Sequence, residues 1–164
     1  MTETKKYRQY NHIQLMIEAI PAAVTLYDKN NILVDCNMET FKLFGFAGKA
    51  QFIEEYNKRF FDFSTEYQPC GTPATQKKEE VLRQVELQSR FQTEWIHLDK
   101  NGEELPVNVT FTRIEIDDNP FNLVCDIDLR EIRLARDKET EAEERLLKSE
   151  IAHVETALEK ELSL

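Results

Sequence analysis

Hydrophobic and polar positions alternate most clearly in residues 91–129, where three strand-like runs follow one another. In the run F-Q-T-E-W-I-H-L, side chains two residues apart share a face, so Trp95 and His97 lie together while Glu94 points the other way. The pair Asn101-Gly102 predicts a two-residue hairpin turn into the run L-P-V-N-V-T-F-T-R-I-E-I, and D-D-N-P predicts a second turn before F-N-L-V-C-D-I-D. The pattern therefore predicts a three-stranded antiparallel meander that passes directly into a long charged helix.

The first twenty residues predict an amphipathic helix from Tyr7 to Ile20, ended by Pro21. Its apolar stripe repeats at helical spacing and consists of Ile13, Met16, Ile17 and Ile20. This stripe requires a partner, which is either the outer positions of the meander or the same helix of a second subunit.

Two short strands are predicted next, A-A-V-T-L-Y-D and I-L-V-D-C-N, separated by the polar turn K-N-N. Asn37 is a predicted N-cap for a short helix that ends at Gly45. An irregular aromatic stretch follows in residues 46–66, and it predicts brief helices packed on an apolar surface.

A longer helix is predicted from Thr72-Pro73 to about Ser89, with the Thr72 hydroxyl as its cap. Val81 and Val85 fall on its buried side. The charged run beginning at Lys77-Lys78 is predicted to be a solvated helix face.

This order of elements resembles a PAS domain. The resemblance rests on P-A-A-V-T-L-Y-D-K-N-N-I-L-V-D-C-N, F-K-L-F-G, E-W-I-H-L-D-K-N-G-E-E-L-P-V-N-V and D-L-R-E, taken in this order. It implies an α+β fold with a five-stranded antiparallel sheet in the order 2-1-5-4-3 and short helices on one face. The expected divisions are an N-terminal helix in residues 1–20, a PAS sensor domain in residues 21–130 and a signalling helix in residues 131–164.

The resemblance also implies a ligand pocket between the helices and the sheet. The expected pocket residues are Thr93, Trp95, His97, Val81, Val85, Val107, Val109 and Phe111. The sequence identifies no cofactor for this pocket, and neither haem nor flavin photochemistry is expected. Haem-binding members take their axial histidine from the long helix, which has none here, and the light-sensing motif G-x-N-C-R-F-L-Q is replaced by K-R-F-F-D-F-S.

The residues Asp128, Leu129 and Arg130 match the Asp-Ile-Thr signature with which such domains couple their last strand to an output helix, although Arg130 replaces the threonine. The second half of the C-terminal helix has apolar residues at three- and four-residue steps, similar to a coiled-coil seam. A homodimer is therefore expected, and the residues assigned to its interface are Ile13, Met16, Ile20, Leu147, Ile151, Val154 and Leu158.

Composition narrows the classes of partner. A net charge of -10 argues against a nucleic-acid binder, because phosphate contacts need basic patches. No apolar run is long enough to span a bilayer, so no membrane contact is expected within this chain. Three cysteines without C-x-x-C spacing favour reduced thiols in the cytoplasm over disulfides or a zinc site.

The sequence is compatible with two functions from different classes. The first is a cytoplasmic sensory module that binds a small ligand or a partner and signals to an output domain absent from this chain, of the histidine kinase or diguanylate cyclase type. The second is a dimerisation module without a ligand, whose pocket is filled by its own side chains. Catalysis is not expected, since Asp126, Asp128 and His97 have no accompanying nucleophile or phosphate loop.

Overall fold

The computed structural model of the protein describes residues 12–162. Its elements are α1 (residues 12–18), β1 (Ala23–Tyr27), β2 (Leu33–Cys36), α2 (Met38–Leu43), α3 (Lys49–Lys58), a 3-10 turn (Phe60–Phe63), α4 (Ala74–Gln88), β3 (Arg90–Leu98), β4 (Glu104–Ile116), β5 (Asn119–Asp128) and α5 (Arg130–Leu162). The part of the predicted first helix before residue 12 lies outside the described residues.

The five strands form one antiparallel sheet in the order β2-β1-β5-β4-β3. This confirms the α+β fold and the strand order that the resemblance implied. In this order the meander places β3 at one edge of the sheet. The hairpin β1-β2 places β2 at the other edge, because β1 pairs with β5. The last strand, β5, is therefore central.

Both turns of the meander differ in detail from the prediction. The Asp99 amide donates to the Glu103 carbonyl at 2.9 Å, and Gly102 has φ of +82°, so the first loop has three residues and not two. The second turn is confined to Asp117 and Asp118, both left-handed, and Pro120 already lies in β5. Proline is tolerated there because β1 begins pairing with β5 only at Asn122.

Helix α4 begins one residue later than predicted, and one of its charged residues points into the core. Its N-cap is Pro73, with no side-chain capping bond, so the predicted Thr72 cap is wrong. Lys77 is buried, and its Nζ donates to the Glu94 carbonyl. The charged face is solvated at Glu79, Glu80 and Arg83, as predicted, but not at Lys77, because a lysine stem can cover apolar surface while its amine finds an acceptor.

Asn37 is the polar centre of the N-terminal half of the fold. Its Oδ1 accepts from the amides of Thr40 and Val24, at 3.1 and 3.0 Å, as expected of the predicted N-cap. Its Nδ2 donates to the Ala22 carbonyl at 2.7 Å and to the Ile17 carbonyl at 3.2 Å. One fully buried side chain thus joins α1, the start of β1 and α2.

The core lies between the sheet and the short helices. It contains a cluster of aromatic rings with centroids 5 to 6 Å apart, made by Phe44, Phe46, Phe52, Tyr56 and Phe63. A second cluster around Trp95 and Val124 covers the other end of the same sheet face.

The described chain divides into two compact units, one ending at Leu129 and the other beginning at Arg130. The second unit is the single helix α5, of 33 residues, and none of its residues is buried. No helix among the residues described is long and apolar enough to cross a membrane.

Candidate functional site

A cavity lies against the face of the sheet that carries Trp95 and His97. Its volume is about 60 Å³, far below the roughly 300–1,000 Å³ of pockets that hold drug-sized ligands. The residues that line it are Tyr27, Asn31, Tyr56, Phe60, Lys78, Val81, Leu82, Trp95, His97, Val109, Phe111, Asn122, Val124 and Asp126.

Of the eight pocket residues expected from the sequence, the structure brings five together around this cavity: Trp95, His97, Val81, Val109 and Phe111. Val85 and Val107 are buried in the core but do not line the cavity. Thr93 is half-buried and also lies outside the cavity wall.

His97 on β3 and Asp126 on β5 form a buried pair in the cavity wall. The Nε2 atom of His97 lies 3.6 Å from Oδ2 of Asp126, slightly longer than a hydrogen bond, and both side chains are buried. Nδ1 of His97 lies 3.3 Å from the Phe63 carbonyl. A neutral imidazole that donates from Nδ1 to this carbonyl presents Nε2 to Asp126 as an acceptor.

Burial shifts both groups towards their neutral forms. Loss of water lowers the pKa of His97 to about 4, an effect that the bond to the Phe63 carbonyl partly offsets. Loss of water also raises the pKa of Asp126 to about 7. Between these pH values the pair is neutral, and above pH 7 it holds a buried negative charge.

The second carboxyl oxygen of Asp126 is unsatisfied. In the part of the chain that the structure describes, Oδ1 is the one buried side-chain oxygen or nitrogen that has no hydrogen-bond partner. Buried acceptors are normally paired, so this atom marks a place where a donor is missing.

Two tyrosines close the cavity beside this pair. The Tyr27 hydroxyl donates to the Tyr56 hydroxyl at 3.4 Å. Burial raises the pKa of Tyr27 to about 12 and holds that of Tyr56 well above its usual value, and the charge of Asp126 adds to both effects. Both phenols are therefore neutral donors and acceptors at physiological pH.

Helix α4 contributes the positive charges near the cavity. Lys78 Nζ lies 3.6 Å from the centroid of the Phe60 ring, a cation–π contact, and burial lowers the pKa of this amine. Lys77 Nζ lies 5.4 Å from the Trp95 ring, but Lys77 does not line the cavity.

Sequence reasoning missed the residues that close the cavity from other elements, above all Tyr27, Tyr56, Lys78 and the central role of Asp126. A signal for Asp126 was available, because strand alternation puts it on the face of buried Val124.

The cavity does not fit a large prosthetic group. A haem or flavin ring system needs a pocket at least as large as those that hold drug-sized ligands, roughly 300–1,000 Å³, and both nitrogens of His97 already face protein oxygens. No group of three His, Cys, Asp or Glu side chains among the described residues could hold a metal ion. The three cysteines are free thiols.

No protein-family model matches the chain, and no curated protein matches it. Among solved structures, the chain is similar to a PAS domain from a two-component sensor histidine kinase, at 10% identity over 75% of this chain and 98% of that one, with a TM-score of 0.57. It is also similar to the LOV protein of Rhodobacter sphaeroides, at 16% identity over 76% of this chain and 68% of that one, with a TM-score of 0.59. A third likeness is to the PAS domain of an HTR-like protein from Haloarcula marismortui, at 15% identity over 77% of this chain and 96% of that one, with a TM-score of 0.53. The chain therefore has the PAS fold, as its sequence motifs implied.

Proposed function

We propose that this chain is a cytoplasmic PAS sensory module that reports the state of its cavity to an output domain through a C-terminal helix. One observation carries the proposal. Asp126 lies in the cavity wall on β5, and the same strand ends at Asp128, two residues before α5 begins at Arg130. A change at the cavity therefore acts on the strand from which the output helix emerges.

The three residues Asp128, Leu129 and Arg130 form the relay in this proposal. The Leu129 amide donates to the Pro106 carbonyl at 2.9 Å, so the end of β5 is fastened to β4. In this proposal, a small displacement of the end of the strand passes into the first turn of the helix.

The helix α5 supplies the dimer interface in the same proposal. Leu147 is 58% exposed and Ile151 is 49% exposed, and Val154 and Leu158 continue the same apolar seam. Exposed apolar residues at three- and four-residue steps favour a coiled coil with a second copy. Near the N-terminus, Met16 is 71% exposed, whereas Ile13 and Ile20 are half-buried, so Met16 is the more accessible of these interface candidates.

The output is proposed to be a histidine kinase or a diguanylate cyclase type of domain, with no catalysis by the sensory module. The similar PAS domain of the two-component sensor histidine kinase supports the first type.

A dimerisation module without a ligand is the second candidate. It is favoured by the small cavity of about 60 Å³ and by the aromatic cluster that fills the adjoining core. In that case α5 provides the whole function, and the cavity holds water.

Native mass spectrometry of the purified protein, before and after denaturation, tests the proposal. The sensory module predicts a dimer and a small molecule released on unfolding or taken up from a metabolite mixture. A dimer that neither releases nor takes up a molecule would favour the second candidate. A monomer at about tens of micromolar would contradict both.

A further inference from the structure

The carboxyl group of Asp126 is an incomplete binding site. Asp126 lines the cavity, its Oδ2 lies beside His97, and its Oδ1 is buried without a hydrogen-bond donor among the described residues. A buried carboxyl oxygen costs stability unless a hydrogen bond replaces the lost water. A donor that enters the cavity would restore that bond.

The surroundings of Oδ1 favour a donor with a positive charge. Aromatic rings of Tyr56, Phe60 and Trp95 line the cavity, and ring faces attract cations. The groups that face Asp126 from the neighbouring elements are His97 on β3, Tyr27 on β1 and Tyr56 on α3, and all are neutral at pH 7. Ionised Asp126 therefore has no counter-charge among them.

We infer that the cavity takes a small molecule with a protonated amine, which donates an N–H to Oδ1 of Asp126 while its apolar part lies among the aromatic rings. This inference rests on the proposed sensory function and names the class of ligand. The volume of about 60 Å³ limits the ligand to a few heavy atoms beyond the amine.

Lys78 provides the main argument for an opposite class of ligand, a small carboxylic acid. Its ammonium is the one full positive charge among the described residues that line the cavity. That charge already lies 3.6 Å from the centroid of the Phe60 ring, whereas Oδ1 of Asp126 has no donor among the residues that the structure describes. An amine ligand therefore supplies the hydrogen bond that Oδ1 lacks, whereas a carboxylate ligand would supply a partner to an ammonium that already has one. A water molecule on Oδ1 is the remaining alternative.

Three probes of nearly equal size and different charge separate these alternatives: propylammonium, propanol and propionate. Each is titrated into the protein at pH 7.5 while the emission of Trp95, the one tryptophan of the chain, is recorded. A ligand of four non-hydrogen atoms cannot have a dissociation constant below roughly tens of micromolar. The titration must therefore reach millimolar concentrations. We expect propylammonium to bind at least tenfold more tightly than propanol and propionate.

Two variants locate the binding. Asp126→Asn keeps the shape and removes the charge, and it should weaken propylammonium at least tenfold. Glu94→Gln is the matched control, since it removes a carboxylate from the exposed side of β3 and should change the affinity by less than twofold. Carbon-13 NMR of the Asp126 carboxyl in the unaltered protein gives a readout independent of any variant: saturating propylammonium should lower its pKa, and propanol should not.

The outcomes bear differently on the two proposals. Tighter binding of propionate, or equal loss in both variants, would overturn the amine assignment and leave a ligand-binding sensor in place. If no probe moves the Trp95 emission or the Asp126 carboxyl signal, the cavity holds water only, and the inference is wrong. The proposed sensory function fails separately, if native mass spectrometry finds no bound or acquired molecule of any class.

Discussion

Nε2 of His97 lies 3.6 Å from Oδ2 of Asp126, although the two residues belong to strands separated by β4. An acid and a base are thus buried side by side, and burial favours the neutral form of each. This relationship makes the stability of the protein depend on pH in two opposing ways, which substitutions can separate.

Asp126→Asn should stabilise the protein at alkaline pH. The pKa of Asp126 is raised in the folded state from 3.8 to about 7, so its contribution to stability is full below pH 4 and is lost as pH rises to 7. The free energy of unfolding of the wild type, relative to the variant, should fall by up to about 4 kcal/mol over this range. Urea denaturation between pH 4 and 8 measures it.

Asp118→Asn is the control for this series, because Asp118 is an exposed carboxylate in a turn whose left-handed backbone asparagine also tolerates. The difference in the free energy of unfolding between the Asp118→Asn variant and the wild type should change with pH by less than about 0.5 kcal/mol. A similar pH profile for both variants would show that Asp126 has an ordinary pKa.

His97→Gln should reveal the opposite slope. The pKa of His97 is lowered from 6.5 to about 4, so the stability that neutral His97 contributes is present above pH 6.5 and is lost as pH falls to 4. The wild type should therefore lose up to about 3 kcal/mol relative to the variant across this acidic window. A proton NMR titration of the His97 ring checks the cause, and a midpoint above pH 6 would contradict it.

Asn37→Ala should destabilise the domain by about 2–4 kcal/mol, because it removes a helix cap and leaves buried backbone groups of three segments without partners. Thermal unfolding measures the loss. Asn30→Ala, in the exposed turn between β1 and β2, is the control and should stay within about 0.5 kcal/mol of the wild type. Equal effects would show that the Asn37 bonds are not needed.

The double change Leu147→Asp and Ile151→Asp should weaken the proposed dimer and leave the melting of the PAS unit unchanged, because both side chains are exposed on α5. Sedimentation velocity measures the mass. The control is Ser149→Asp with His153→Asp, which places two charges at the same spacing on another face of the helix. Loss of the dimer in both double variants would indicate that charge alone disrupts the helix.

The fold could be predicted from the sequence because its signals are local. The alternation around Trp95, the N-cap Asn37 and the dipeptide Asp117-Asp118 each depend on neighbours in the chain. The turn beginning at Lys100 was predicted less accurately, since Asn-Gly suits loops of two and of three residues, and the Asp99–Glu103 hydrogen bond decides between them.

The candidate site could be predicted only in part, because its polar groups meet through tertiary packing. Alternation on one strand located Trp95 and His97, whereas Asp126 reaches His97 from a strand that is nearly thirty residues later and not adjacent in the sheet. The sequence predicts that Lys77 and Lys78 are solvated. Packing of α4 against β3 instead buries Lys77 and places the Lys78 amine over the ring of Phe60. Neither outcome has a local sequence signal.

If the state of the cavity reaches α5 through β5, hydrogen–deuterium exchange of the α5 amides will depend on the charge of Asp126. At pH 8, where Asp126 is ionised in the wild type, Asp126→Asn should change the exchange rates of amides in residues 130–146 at least threefold, whereas Glu94→Gln should not. Altered exchange around Asp126 with unchanged rates throughout α5 would show that the cavity is not coupled to the helix.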